Sequence, residues 1–507
     1  MWEGFVAGLV LTAQVDVLIA VFVGVAIGMA FGTTPGLDAT SGTALLVSAT
    51  YGFSTEVALG ALLGLYTSAT YAGSITAISI GIPGTPASAA TVLDGYALTK
   101  KGKMRRALSI SIVASVIGGL VGTLALMFLT FPLAAFALNF GPPEYFALGV
   151  LGVTIIASLV DRMVLGGFIL AACGLLITTI GIDPFTGYPR FTFGNVSLFE
   201  GIPYIPALVG LFAISEGISL IADRDQQRVP ASKLSFWSFD LPWAAFRKVT
   251  RVLTIGSAVG SVLGGLPAIG AAAANWIGYN EARRFSRDRT NFGKGSEEGL
   301  AAAESSNNST VSTSLIPLLA FGIPGSATAA VLLGAMMLHG VTPGPTIFNE
   351  QLDLVYLIFI VLGLANLLML AFGVFGVGVW VKLVQMPPVF IAVTILTLSV
   401  IGSYSIRSNV FDVYLAIGFG VFGYLARRCG LSPVPIVLAI VLGALIEENL
   451  RRSLIMSSNG LAIFLDRPVA LVVLGVTLVT GLVPIIRLLR PATESGPMSG
   501  KDNGDAR

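Results

Sequence analysis

The chain has 507 residues, 55% of them hydrophobic and only 11% charged, where an ordinary soluble domain carries about 25% charged residues. That excludes a soluble globular protein, and a net charge of +2 gives no polybasic surface for nucleic acid. One histidine and two cysteines, with no H-E-x-x-H and no Walker motif, argue against a membrane-embedded transferase, which needs clustered ligands or a nucleophile with a base. The composition fits an all-α polytopic membrane protein, a class that tolerates glycine and proline in its helices. No catalytic residue and no cofactor is expected, and no metal beyond a bound Na+.

The N-terminal stretch "MWEGFVAGLVLTAQVDVLIA" lacks a basic n-region and a cleavage site, so it is expected to be retained. A spanning helix needs roughly 20 apolar residues. Apolar runs fall at 15–31, 57–80, 107–130, 144–160, 164–182, 203–222, 252–279, 312–338, 352–381, 387–403, 410–426, 433–446 and 469–486. Several are short or carry Gly-Pro breaks, so about 11–13 membrane-embedded helices are expected, broken or re-entrant ones included. A first membrane repeat is expected over 1–222 and a second over 251–490, joined by a polar connection, 223–250. Residues 491–507 read as a disordered tail.

Each half carries two proline breaks in the same order. "TTPGLDATSG" at 33–42 precedes "GIPGTP" at 81–86, and "GGLPAIGAAAAN" at 264–275 precedes "GIPGS" at 322–326. The basic cluster of the first half, Lys100, Lys101, Lys103, Arg105 and Arg106, follows its second break. In the second half Arg283, Arg284, Arg287, Arg289 and Lys294 lie between the breaks. Basic loops mark the cytoplasmic side, so opposite bias in corresponding loops predicts two inverted-topology repeats.

Proline inside a helix costs about 3 kcal/mol, and in hydrocarbon the freed backbone groups need protein or water. The product is a half-helix whose N-terminal N–H groups and dipole suit an anion. Substrate contacts are therefore expected at Pro35, Gly36, Gly84, Thr85, Ser88, Gly325, Ser326 and Thr328. Thr85 and Ser326 are expected at one shared pocket. Simple kinking or close helix packing is the competing explanation, and two matched copies disfavour it. A cation site is expected from Asp38, Asn307, Asn308 and the backbone at Gly81 and Gly322. Around Glu304 to Thr313 a solvated loop capped by Ser305 and Ser306 competes with that site. Asp161 and Arg162, and Glu447 and Glu448 beside Arg451 and Arg452, read as helix-end residues; His339 reads as an interface residue.

Over most of its length the chain resembles the large membrane subunit of the tripartite tricarboxylate transporters, the TctA-type permease. The resemblance rests on "TPGLDAT", "YAGSITAISIGIPGTPASAATVLDGYALTKKGKMRRAL", "FGPPEYFALGVLG", "GIDPFTGYPRFTFGNVSLFEGI", "NFGKGSEEGLAAAESSNNS", "FGIPGSATAAVLLGAMMLHGVTPGP" and "LRRSLIMSSNG". It implies carboxylate uptake across a bacterial inner membrane, driven by Na+ or H+. A small TctB-type membrane subunit and a periplasmic TctC-type solute-binding protein would be the partners. Ser48 and Gly81 depart from the family's pattern beside the expected pocket, so citrate itself is not carried over as the substrate. A channel, or a stand-alone ion-coupled transporter of another substrate, is the alternative.

Overall fold

Glycine and proline decide where the helices stop. In this computed structural model residues 2–159, 163–222, 239–267, 269–383 and 386–489 are described. Residues 161 and 162, most of the polar connection and the tail lie outside them. The first half comprises α1 (Trp2–Thr12), α2 (Val15–Thr33), α3 (Ala39–Ala49), α4 (Thr55–Ile80), α5 (Thr91–Lys100), α6 (Met104–Ala137), α7 (Pro142–Leu159) and α8 (Val164–Thr178). A two-residue antiparallel ladder, β1 (Gly181–Ile182) with β2 (Pro189–Arg190), follows. Next come α9 (Tyr204–Leu208), a π-helical turn (Val209–Ile214) and α10 (Ser215–Ala222).

The second half opens with α11 (Trp243–Gly264), which starts inside the stretch expected to be connection. It continues through α12 (Gly270–Phe285), α13 (Glu297–Thr313), α14 (Leu315–Phe321), α15 (Ala327–Leu338), α16 (Ile347–Glu350), α17 (Leu352–Phe375) and α18 (Val377–Leu383). The remaining helices are α19 (Pro388–Arg407), α20 (Val410–Arg428), α21 (Val434–Met456), α22 (Ile463–Asp466) and α23 (Pro468–Leu489).

Among the described residues six helices are long and apolar enough to cross a membrane alone, and the bent pair around Arg467 makes a seventh. The apolar run 252–279 is not one span: the chain breaks between Gly264 and Gly270. The run 312–338 breaks at Gly322. Two short helices, α1 and α3, occupy stretches where no span was expected. The run 433–446 continues to Met456 because Glu447 and Arg451 pair with each other, and with Arg190 and Asp183 of the β ladder and its turn. These charges sit inside a helix rather than at its end.

The solvated loop expected near Glu304 is instead a helix interior. Every residue of α13 from Gly299 to Thr313 is buried, and the cap is Ser296, which accepts from Gly299 N–H. Ser305 and Ser306 lie mid-helix. Helices α4, α5, α6, α11 and α12 surround this polar rod.

Glycine stripes let it sit so deep. A Cβ on Gly256, Gly260 or Gly264 of α11 would lie 2.6, 2.1 or 2.9 Å from the carbonyl oxygens of Ala302, Ser306 and Thr310. Helix α2 meets α4 the same way: a Cβ on Gly24, Gly28 or Gly32 would lie 2.1, 2.4 or 2.2 Å from the carbonyls of Ala61, Leu65 and Ala69. Both stripes end three residues before a break proline, Pro35 or Pro267. Their partners stand 20, 16 and 12 residues before Gly81 and before Gly322 respectively. Small residues at four-residue spacing are how membrane helices approach backbone to backbone.

Candidate binding site at the broken helices

A helix restarts after each break: α3, α5, α12 and α15. They form two parallel pairs. Thr40 and Thr328 hydroxyls are 2.9 Å apart at the start of α3 and α15, and Thr50 Oγ1 lies 3.3 Å from His339 Nε2 at their ends. Ala90 N–H, at the start of α5, donates to Asn275 Oδ1 in the second turn of α12 (2.8 Å), and one turn on Tyr279 O–H donates to Asp94 (2.9 Å).

The pairs leave in opposite directions along α4. Thr55, at the start of α4, donates to the His339 carbonyl, so α3 and α15 run toward that end. Thr99, near the end of α5, donates to the Ile78 carbonyl near the other end of α4. Here Lys101 reaches the Lys294 carbonyl and Arg106 pairs with Glu297, which brings both basic clusters to one end of the bundle. All four half-helix N-termini therefore face the middle.

Helix α4 measures the gap between the two pairs. Tyr66 O–H is 3.1 Å from Ser326 Oγ and 2.9 Å from Ser314 Oγ. Gly84 N–H donates to Gly73 carbonyl (3.1 Å). Seven residues of α-helix are about 10 Å long, so Thr85 and Ser326 face each other across two turns rather than meeting. The second break of each half instead adjoins the helix that follows the first break of the other. Linear sequence does not reveal this cross-pairing.

Several expected site residues have local work. Gly81 (φ 78°) and Gly322 (φ 73°) are left-handed C-caps of α4 and α14, a conformation that favours glycine. Asp38 caps α3, accepting from Ser41 N–H (2.8 Å) and Ser41 O–H (2.9 Å), so its carboxylate is engaged at that terminus. Ser326 accepts from Ala329 N–H (3.1 Å) and caps α15. Ser88 donates to the Thr85 carbonyl within its own turn. A Cβ on Gly84 would meet Thr76 Oγ1 of α4 and the Gly32 carbonyl of α2, both at 2.4 Å, and one on Gly325 would meet the Ser314 carbonyl at 2.6 Å. Pro35 is half-buried and Gly36 exposed, next to Glu216, which ion-pairs with Arg427.

Between the pairs lies a shell of buried, unsatisfied oxygens. Thr85 Oγ1, Asn307 Oδ1 and Asn308 Oδ1 have no hydrogen-bond partner, although such groups are nearly always paired in proteins. Asn307 donates to the Thr70 carbonyl (3.4 Å), halfway along α4 between Tyr66 and Ser74. Asn308 donates to the Glu304 carbonyl (3.3 Å). Tyr66 and Asn275 were not legible as site residues: the first sits in an unremarkable helix, and the second follows Pro267 by eight positions without a motif.

The profile of the Tripartite tricarboxylate transporter TctA family matches residues 18–438. The chain belongs to this family. The TctA-family protein is 40% identical over 473 residues, 92% of its length and 94% of the relative's, to "Uncharacterized 52.8 kDa protein in TAR-I ttuC' 3'region" of Agrobacterium vitis. It is also 39% identical over 236 residues, 46% of its length and 96% of the relative's, to "Uncharacterized protein in TAR-II ttuC' 3'region" of the same organism. No solved structure matches it. Family and helices together make it a multi-pass membrane protein of a transporter family.

Proposed function

We propose that the protein is the large transmembrane subunit of a binding-protein-dependent secondary transporter that imports carboxylates, coupled to a Na+ or H+ gradient. The observation that carries this is the convergence of four half-helix N-termini on the middle of the bundle. Each terminus presents N–H donors without intrahelical acceptors and about half a positive charge. Two such clusters about 10 Å apart suit a substrate with more than one carboxylate, one group near Ser326 and Thr328 and another near Gly84 and Thr85. Asn307 and Asn308 lie between them with free acceptor oxygens. Those atoms suit Na+ or a water-borne proton, with the Thr70 carbonyl beside Asn307.

Inverted repeats are supported by the matched glycine stripes, by half-helix pairs that leave in opposite directions, and by basic clusters from non-corresponding loops meeting at one end. Repeats of this kind give alternating access around a fixed midplane site. We further propose a bacterial inner-membrane location with the basic end cytoplasmic, and assembly with a small TctB-type subunit and a periplasmic TctC-type binding protein.

The test is uptake into proteoliposomes that hold both membrane subunits and receive the binding protein. Saturable carboxylate accumulation that requires an inward Na+ or H+ gradient is the expected result. Flux that ignores both gradients and never saturates would refute coupled transport in favour of a channel.

A further inference from the structure

Glu304 has none of its surface exposed. Its Oε1 accepts hydrogen bonds from Ser74 Oγ (2.7 Å) and from Thr91 Oγ1, and its Oε2 from Ser115 Oγ (2.9 Å). Helices α4, α5 and α6 thus each donate to one carboxylate on α13. Taking such an ion out of water costs several kcal/mol, which neutral hydroxyls offset only in part.

Among the described residues, no Lys, Arg or His forms an ion pair with it. The cations on the surrounding helices are engaged or exposed at the basic end. Arg106 of α6 pairs with Glu297 and Asp240, and Lys101, just beyond α5, bonds the Lys294 carbonyl. Lys100 of α5, Arg105 of α6, Arg247, Lys248 and Arg251 of α11, and Arg283 and Arg284 of α12 are exposed. The other titratable neighbours are neutral or mutually bonded. Tyr71 of α4 is buried without a partner and Tyr66 bonds two serines; Asp94 of α5 takes Tyr279 of α12 and the N–H groups of Gly295 and Ser296.

One turn along the same face of α13 stand the unpartnered oxygens of Asn307 and Asn308. A carboxylate with oxygen neighbours and no nitrogen or sulfur is a donor set for a hard cation.

We propose that Glu304 is the charged group of the coupling site and binds the driving cation, H+ or Na+, during each transport cycle. This deepens the coupled-transport proposal and rests on it. Ionised Glu304 stands beside Thr91 at the start of α5 and cancels that terminus's positive end. Neutralised by a cation, it leaves the terminus free to attract a substrate carboxylate. Cation and anion then strengthen each other's binding, and by linkage the effect is reciprocal.

The test uses the detergent-purified full chain, with NaCl, choline chloride and pH as the probes. Thermal unfolding and the infrared band of a protonated carboxyl are recorded for the wild type and Glu304→Gln. A Na+-specific stabilisation of the wild type that weakens more than about tenfold in Glu304→Gln assigns Na+. A protonated-carboxyl band that titrates and is missing from Glu304→Gln assigns H+. Equal responses in both proteins, or none in the wild type, overturn the proposal. If Glu304→Gln does not fold, Ser115→Ala must shift the pH or Na+ midpoint; an unchanged midpoint overturns it equally. Gradient-driven uptake that persists in Glu304→Gln with its ion requirement intact removes Glu304 and leaves coupled transport standing. Gradient-independent uptake by the wild type refutes coupled transport, whatever Glu304 binds.

Discussion

Replacing Gly260 with alanine tests whether α13 is held by backbone contact. The new Cβ would stand 2.1 Å from the Ser306 carbonyl oxygen and 2.1 Å from Ser309 Oγ. Ser309 can rotate away. The Ser306 carbonyl cannot, because it belongs to the helix and also accepts from Thr310 Oγ1 (2.8 Å). Carbon and oxygen come no closer than about 3.3 Å without strain, so α11 and α13 must part by roughly 1 Å. Overpacking of this kind costs about 1–3 kcal/mol, roughly a five- to hundredfold loss in the folding equilibrium. The shift also carries Glu304 and Asn307 away from their partners on α4, and misplacement by about 1 Å can cost a hundredfold in turnover. Gly418→Ala is the control, since no atom lies within 4 Å of its Cβ and alanine improves helix propensity by up to about 1 kcal/mol. Unfolding midpoints in detergent and proteoliposome uptake are compared for both variants. Equal midpoints would refute the packing argument, and Gly28→Ala, with the Leu65 carbonyl at 2.4 Å, is expected to behave like Gly260→Ala.

Thr85→Leu and Ser326→Leu are expected to abolish uptake while the protein still inserts at normal levels; retained uptake in both would remove the half-helix termini from the pocket. Ser326→Ala loses the cap on Ala329 N–H and the contact with Tyr66 O–H and is expected to cost about 1–2 kcal/mol, read as a drop in unfolding midpoint. Asn307→Ala is expected to change the half-saturating Na+ or H+ concentration more than the ranking of carboxylate substrates, and an unchanged cation requirement would exclude Asn307 from the ion site. At the end of the bundle opposite the basic clusters, Arg451 donates two 2.8 Å hydrogen bonds to Asp183, which lowers its carboxyl to about 2. Its stabilising contribution is complete above the unfolded value of about 3.9 and fades as pH falls toward 2. Stability of Asp183→Asn should therefore run parallel to wild type between about pH 5 and 8, and a change of slope in that window would contradict the Arg451 clamp.

The breaks were legible because proline and the left-handed glycines announce a helix end in any solvent. The polar α13 was not, since Glu304, Asn307 and Asn308 read alike whether water or protein surrounds them. Only the glycines of α11 and α6, met in three dimensions, show that a backbone can lie against that stretch. Cross-pairing of Thr40 with Thr328, 288 residues away, leaves no periodic trace in the chain.

Helix α13 also constrains how the protein is made. With Glu297, Glu298, Glu304 and two asparagines in 17 residues, it cannot partition from the translocon into lipid alone, where each central charge costs about 2.5–3.5 kcal/mol. Helices α11 and α12 precede it directly, but α4, α5 and α6, which hold Glu304, are synthesised well over a hundred residues earlier. The first half must accordingly wait in the bilayer with an unfilled groove, and the second half completes insertion by docking into it.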